Sequence, residues 1–496
     1  MTHGPLHDDP VRKHSWARTA GGRSTLVIAA AALAAIVAAG VLAVSSAAGS
    51  GSDDPATHEL TSVECPPRLV GVAECYSDQN TDGSYYMLAV PDEWNDSLVV
   101  FAHGGPSPSY TEQDGADDLE EWAVLVEEGY AWVGSSYRRG GYGVRMAVED
   151  TENARRLFVD SFGQPEETYL HGQSWGGNVA AKAAETYGDV EGGYDGVLLT
   201  NGFLAGGSRG YDHRVDLRVV YQYYCRNLPL PSEEQYPLWQ GLPAESTLTP
   251  EDVGARLEEC TGLSKEPADR TPRQRSDLED ILAVTGLSAR SLDTHLMYAT
   301  FLFQDIVWNR LDGRNPFSNE GVEYLGSKDD AALNAGVARF SADPTARRDL
   351  SYDSDLTGEV DLPVLTLHAI GDPSVSVEHQ AAYRATLEAA GREDNLVQTF
   401  TTERAHNELS DSEYAASLAA LDEWADSGTR PSPETIAEEC EDADRDYAGG
   451  CLYDWDFRPP PLHTRIAPRP GGTGWPVMSA DQERAWSLID GVGIAP

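Results

Sequence analysis

Lysine is nearly absent from this 496-residue chain. Only Lys13, Lys182, Lys265 and Lys328 occur, so almost all of the positive charge is arginine. Against 36 Lys and Arg stand 81 Asp and Glu, a formal net charge of −45. A surface that acidic repels phosphate backbones, which excludes nucleic acid as a partner. Solubility in saline or variable surroundings accounts for the charge better than recognition of a cationic substrate. Cysteine is scarce as well. The six residues fall in three local couples, Cys65 with Cys75, Cys225 with Cys260 and Cys440 with Cys451, and none is spaced for zinc. The acidic run "DGADDLEE", Asp114 to Glu121, lacks the spacing of an EF-hand and reads as a solvated helix start. No metal or cofactor is expected, and no internal repeat is visible.

Long hydrophobic runs are also lacking, with one exception. Residues 25 to 48, "TLVIAAAALAAIVAAGVLAVSSAA", are uncharged and apolar and follow Arg12, Lys13, Arg18 and Arg23. That arrangement predicts an export signal over residues 1 to 48, cleaved after Ala48. Retention as a membrane anchor is the alternative, and it is the one route by which a membrane would become a partner. No paired arginines precede the run and no cysteine follows it, which argues against twin-arginine export and a lipid anchor. Behind such a signal an even cysteine count reads as disulfides, with neighbour pairing favoured among 15 possible connectivities.

After a linker and N-terminal segment at 49–84, short apolar runs alternate with helical patterns, which predicts an α/β fold with a mostly parallel sheet. "SLVVFA" and "GYAWVGSSY" read as strands, with Leu119, Trp122, Ala123 and Val126 at helical spacing between them. A further helix presents Ala147, Thr151, Ala154 and Phe158 and stops at Gly163. The rhythm runs over 85–202, gives way at 203–355 to a helical, Pro-rich and acidic insertion, and resumes over 356–428. Residues 429–496 read as a Pro-rich tail packed on the core.

Two Gly-x-Ser-x-Gly patterns compete, "GQSWG" around Ser174 and "GGSRG" around Ser208. With 47 glycines in the chain the bare pattern means little. Context separates them. Ser174 follows the strand "ETYLHG" and precedes an Ala-rich helix, the setting of a nucleophile elbow, whereas Ser208 reads as part of a Gly-rich loop entering the insertion. A serine needs a base and a carboxylate to orient it. Asp372 follows the strand "VLTLHAIG", and His406 follows "NLVQTF", giving the order Ser174, Asp372, His406. His171 and His368 lie inside strands and read as core, and His379 opens a helix. Oxyanion donors are expected from the N–H of Gly105, in the turn "FAHGGPSPSY", and of Trp175, next to the serine.

The Ser-Asp-His order on this framework resembles secreted actinobacterial serine hydrolases of the α/β-hydrolase fold. His103 to Pro106 and Gly172 to Gly176 are similar to the HGGPG and GGSWG motifs of prolyl iminopeptidases, with Ser107 and Gln173 as departures. The resemblance implies that the insertion is a cap that covers the site and selects small-molecule or peptide substrates. Within it, Met297, Phe301, Phe303 and Trp308 read first as cap core and second as pocket wall. The expectation is an exported enzyme that cleaves carboxylic esters through an acyl-enzyme. A secreted peptidase with the same machinery is the alternative, and a non-catalytic binding protein on the same scaffold stands behind both.

Overall fold

The computed structural model describes residues 60–447 and 449–462. The candidate export segment lies outside them, as does the end of the tail. Nine strands form one mixed sheet: β1 (Thr61–Val63), β2 (Ala73–Gln79), β3 (Tyr85–Pro91), β4 (Ser97–Ala102), β5 (Ala131–Ser135), β6 (Glu167–Gln173), β7 (Gly196–Thr200), β8 (Val364–Ala369) and β9 (Leu396–Thr401). Their spatial order is β1-β2-β3-β5-β4-β6-β7-β8-β9. β1, β2 and β3 pair antiparallel, as do β3 and β5, and every pairing from β5 through β9 is parallel. The segment before residue 85 therefore supplies two strands of the sheet.

Helices cover both faces, which is why the parallel strands read as unbroken apolar runs. Along β4, Leu98, Val100 and Ala102 point into one core cluster with Ala147, Phe158 and Val179, while Val99 and Phe101 point into the other with Leu119, Leu418 and Trp424. The helix Val144–Phe162 buries the predicted face and ends at Gly163, whose φ is 98°. The expected helix around Leu119 and Val126 is broken at Trp122 into Glu112–Glu121 and Ala123–Glu127.

Between β7 and β8 the chain forms helices and turns with no strand. The insertion is fastened to the sheet's helices by its carboxylates. Asp353 accepts from the N–H groups of Val144 and Arg145 at 2.9 and 3.2 Å, satisfying orphan donors at the start of that helix. Asp305 accepts from the N–H of Tyr142 at 2.6 Å. Phe303 stacks on Phe317 at 4.0 Å, Trp308 Nε1 donates to the Leu242 carbonyl, and Met297 and Phe301 pack on the insertion's own core. The Pro-rich tail begins with a helix, Pro433–Tyr447, where no helix was expected.

The three neighbour couples are disulfides: Cys65–Cys75, Cys225–Cys260 and Cys440–Cys451. They point to an extracellular or otherwise oxidising compartment. Among the described residues no helix is long and apolar enough to cross a membrane.

Candidate active site

Every candidate residue lies just past the carboxyl end of a parallel strand. Ser174 follows β6 and has φ 61° and ψ −126°, a left-handed conformation that costs a non-glycine residue on the order of 1–3 kcal/mol. The surrounding glycines permit this turn. A Cβ on Gly172 would come within 2.3 Å of the Gly176 carbonyl, and one on Gly176 within 2.1 Å of the Ala102 carbonyl. Any side chain at either position would push the serine out of place. The helix Trp175–Tyr187 starts at once behind Ser174.

Asp372 and His406 meet. Asp372 Oδ2 lies 2.7 Å from His406 Nδ1, and the Asp372 side chain is fully buried. Burial works to raise the Asp372 pKa, but the charge and hydrogen bond of His406 outweigh it, with His368 and the Val375 N–H adding to them, so the carboxyl sits below its ordinary range. The same carboxylate accepts from the N–H of Ser374 at 2.7 Å. In this structure no hydrogen bond links Ser174 Oγ to His406. Their adjacency comes through Gln173, whose Nε2 donates to the His406 carbonyl at 3.2 Å, and Asn201, whose Nδ2 donates to it at 2.6 Å. Asn201 follows β7 and also accepts from the N–H of Ala369 at 2.8 Å, tying the ends of β7 and β8 to the His406 loop.

The rival histidines are packed away. His171 is buried among Phe101, Trp122 and Tyr414, and burial pushes its pKa down to about 3. His368 is buried and held below its ordinary pKa by burial; its Nε2 donates to the Val375 carbonyl and its Nδ1 accepts from Gln380. His379 lies in the helix Glu378–Ala390, its Nδ1 accepting from the N–H of Ala205.

The turn after β4 passes over the serine. A Cβ on Gly104 would lie 3.9 Å from Ser174 Cβ, and Gly105 has φ 131°. Neither glycine N–H donates to a protein acceptor among the described residues, and Trp175, first in its helix, has no intrahelical acceptor for its own. The turn is braced from three sides. Tyr137 Oη donates to the His103 carbonyl at 2.9 Å, the Ser107 N–H donates to Tyr110 Oη at 3.0 Å, and the Gly141 N–H donates to the Ser107 carbonyl at 2.7 Å. His103 Nδ1 also binds Asp118. Burial pulls the His103 ring down, but Asp118 outweighs it and the net direction is up, while burial pushes the Asp118 carboxyl up. One proton is thus held tightly between ring and carboxylate.

Asp118 corrects the reading of its acidic run as solvated. It is buried, on the stripe Gly115, Asp118, Leu119, Trp122. A carboxylate at i and i+4 spacing within an apolar stripe was the available signal. Ser208 also departs from expectation. It sits in a helical turn, Gly206–Gly210, fully buried, with Oγ bonded to Asp355 and its N–H 2.8 Å from Asp355 Oδ1. Its pattern-matching glycine is structural, since a Cβ on Gly206 would come within 2.5 Å of that carboxylate. The Trp175 indole is buried beside Tyr137 and Tyr142. Among the described residues no group of three His, Cys, Asp or Glu side chains is placed to hold a metal ion.

The strand order and the strand, strained serine and helix at β6 define the α/β-hydrolase fold. No protein-family model matches the chain. In sequence it is similar to an o-phthalyl amidase of Xanthobacter agilis, 23% identical over 413 residues, spanning 71% of this chain and 87% of that protein. Among solved structures it resembles an esterase from Aspergillus oryzae, 15% identical, covering 73% of this chain and 80% of the esterase at a TM-score of 0.39. Candida antarctica lipase A in its closed state is 13% identical and covers 86% and 89%, also at 0.39.

Proposed function

We propose that the protein is an exported serine hydrolase that transfers an acyl group from an ester to Ser174 and then to water. Ser174 Oγ attacks the acyl carbonyl while His406 Nε2 takes its proton. Asp372 holds the Nδ1–H of that ring, and the N–H groups of Gly105 and Trp175 receive the oxyanion. His406 then protonates the leaving alcohol, and in the second half activates the water that frees Ser174. The observation that carries this reading is the 2.7 Å Asp372–His406 bond set behind a serine in a strained strand-to-helix turn. Export rests on the apolar run at 25–48 together with three disulfides. The insertion acts as the cap.

Amide cleavage by the same machinery is the second reading, favoured by the likeness to an o-phthalyl amidase. Recognition of a free amino terminus is disfavoured, because a buried cation of the insertion, Arg214, packs on Phe203, whose N–H donates to the Ser174 carbonyl. The deciding experiment compares p-nitrophenyl esters, aminoacyl-p-nitroanilides and an o-phthalyl amide, with Ser174→Ala as control. Ester turnover lost in Ser174→Ala is expected. A fluorophosphonate that still labelled Ser174→Ala would sink the assignment of the serine.

A further inference from the structure

Arginine 214 lies on the first long helix of the insertion, Asp212–Cys225, and is only 3% exposed. Among the other buried arginines of the described residues, Arg155 binds Glu152 at 2.7 Å, while Arg218 reaches only a tyrosine hydroxyl and a backbone carbonyl. Arg214 has no acid partner either. Among the described residues no carboxylate lies within ion-pair distance of it, and its Nε–H has no acceptor. In a chain with 81 acidic residues to 36 basic ones, an acid partner was statistically easy to supply. The guanidinium is instead surrounded by rings, its carbon 4.4 Å from the centroid of Tyr298, 5.0 Å from Tyr211 and 5.1 Å from Phe203. Ring faces attract the cation but do not accept from its in-plane N–H groups as a carboxylate does. A buried charge without such a partner has lost its hydration with no carboxylate to compensate.

Those rings lead to the serine. The Phe203 N–H donates to the Ser174 carbonyl at 2.8 Å. Tyr211 packs on Tyr142, which packs on Trp175 beside the nucleophile. Tyr298 is within electrostatic reach of both Arg214 and Asp372. Arg218, one turn further along the helix, turns to the insertion's own interior, reaching Tyr236 Oη at 3.3 Å and the Gly241 carbonyl at 3.5 Å.

We propose that Arg214 is a substrate-binding residue whose guanidinium takes a carboxylate on the acyl group, so that the preferred substrates are monoesters or monoamides of dicarboxylic acids. The inference rests on the acyl-hydrolase reading above. A planar fork walled by aromatic rings suits a planar carboxylate, which accepts two parallel N–H bonds and is desolvated at lower cost than a doubly charged phosphate. The pairing also supplies the charge that the free protein leaves unmatched.

The test uses monophenyl esters of succinate, glutarate and adipate, each against the same diester with its second carboxyl methylated. Wild-type protein is expected to favour at least one free acid by more than tenfold in kcat/KM. Arg214→Met should lose that preference, read as the ratio of kcat/KM for the free acid to kcat/KM for the methylated diester. Arg214→Lys, which keeps the charge and loses the fork, covers the case in which Arg214→Met fails to fold; it should lose most of the preference. Equal turnover of acid and methyl ester by wild type overturns the proposal, as does a preference kept in a folded Arg214 variant. Fluorophosphonate labelling of Ser174 and turnover of the neutral diester report separately on the acyl-hydrolase reading, so the two failures are distinguishable.

Discussion

Gln173 Nε2 lies 2.9 Å from Asn407 Oδ1, and from the same position it donates to the His406 carbonyl. The residue before the nucleophile therefore holds the loop that carries the candidate base, a task that a glycine at this position cannot perform. The departure from the GGSWG pattern has a local physical purpose. Gln173→Leu should lower kcat by roughly ten- to a hundredfold, through misplacement of His406, with KM within about threefold. Steady-state kinetics on a neutral ester checks it. A fall in melting temperature with kcat unchanged would leave Gln173 as packing alone.

Ser174→Ala and Ser208→Ala should separate cleanly. Loss of the Ser174 hydroxyl should reduce turnover by several orders of magnitude. Loss of the Ser208 hydroxyl should keep turnover within about threefold but destabilise the fold by ~1–3 kcal/mol, because the buried Asp355 loses a donor. Urea melts beside an activity assay decide the matter, and inactivity of a folded Ser208→Ala would contradict it.

Asp118→Asn should destabilise by roughly 3 kcal/mol, since His103 then loses the partner that its buried charge requires. It should also lower kcat, because the braced turn carries Gly104 and Gly105. Chemical denaturation and kinetics on the same variant test both parts.

Stability should rise on acidification from pH 8 to about 5.5. Burial pushes Glu413 up from 4.5 to about 7 and Asp150 up from 3.8 to about 6. Between the unfolded and folded values the folded state holds protons that the unfolded chain has released, so stability falls as pH rises through that window. Below it the direction reverses, as carboxyls held low in the fold, Asp372 and Glu152, take up protons. Melting temperatures across pH check the sign, and Glu413→Gln should flatten the slope.

Denatured but unreduced protein should titrate no thiol, given the three disulfides. The mature chain should begin near Gly49, which intact-mass analysis reads directly. A mass that retains residues 1–48 would favour the membrane anchor.

Much of this protein follows from sequence because local rules govern it. Short apolar runs became β4 to β9, helical spacing gave the buried face of Val144–Phe162, and the contexts of Ser174, Asp372 and His406 put each past a strand's carboxyl end. Cysteines close in sequence met because short loops close readily. Periodicity reports which face a residue shares with its own neighbours, and it is silent on partners brought from afar. Gln173 binds a loop 233 residues on, Ser208 meets Asp355 across 147, and the acidic run holding Asp118 folds against the turn at His103. The isolation of Arg214 is of the same kind. Whether a buried charge finds an opposite one is settled only when several elements converge on it, and here the tertiary structure brought aromatic rings in place of an acid.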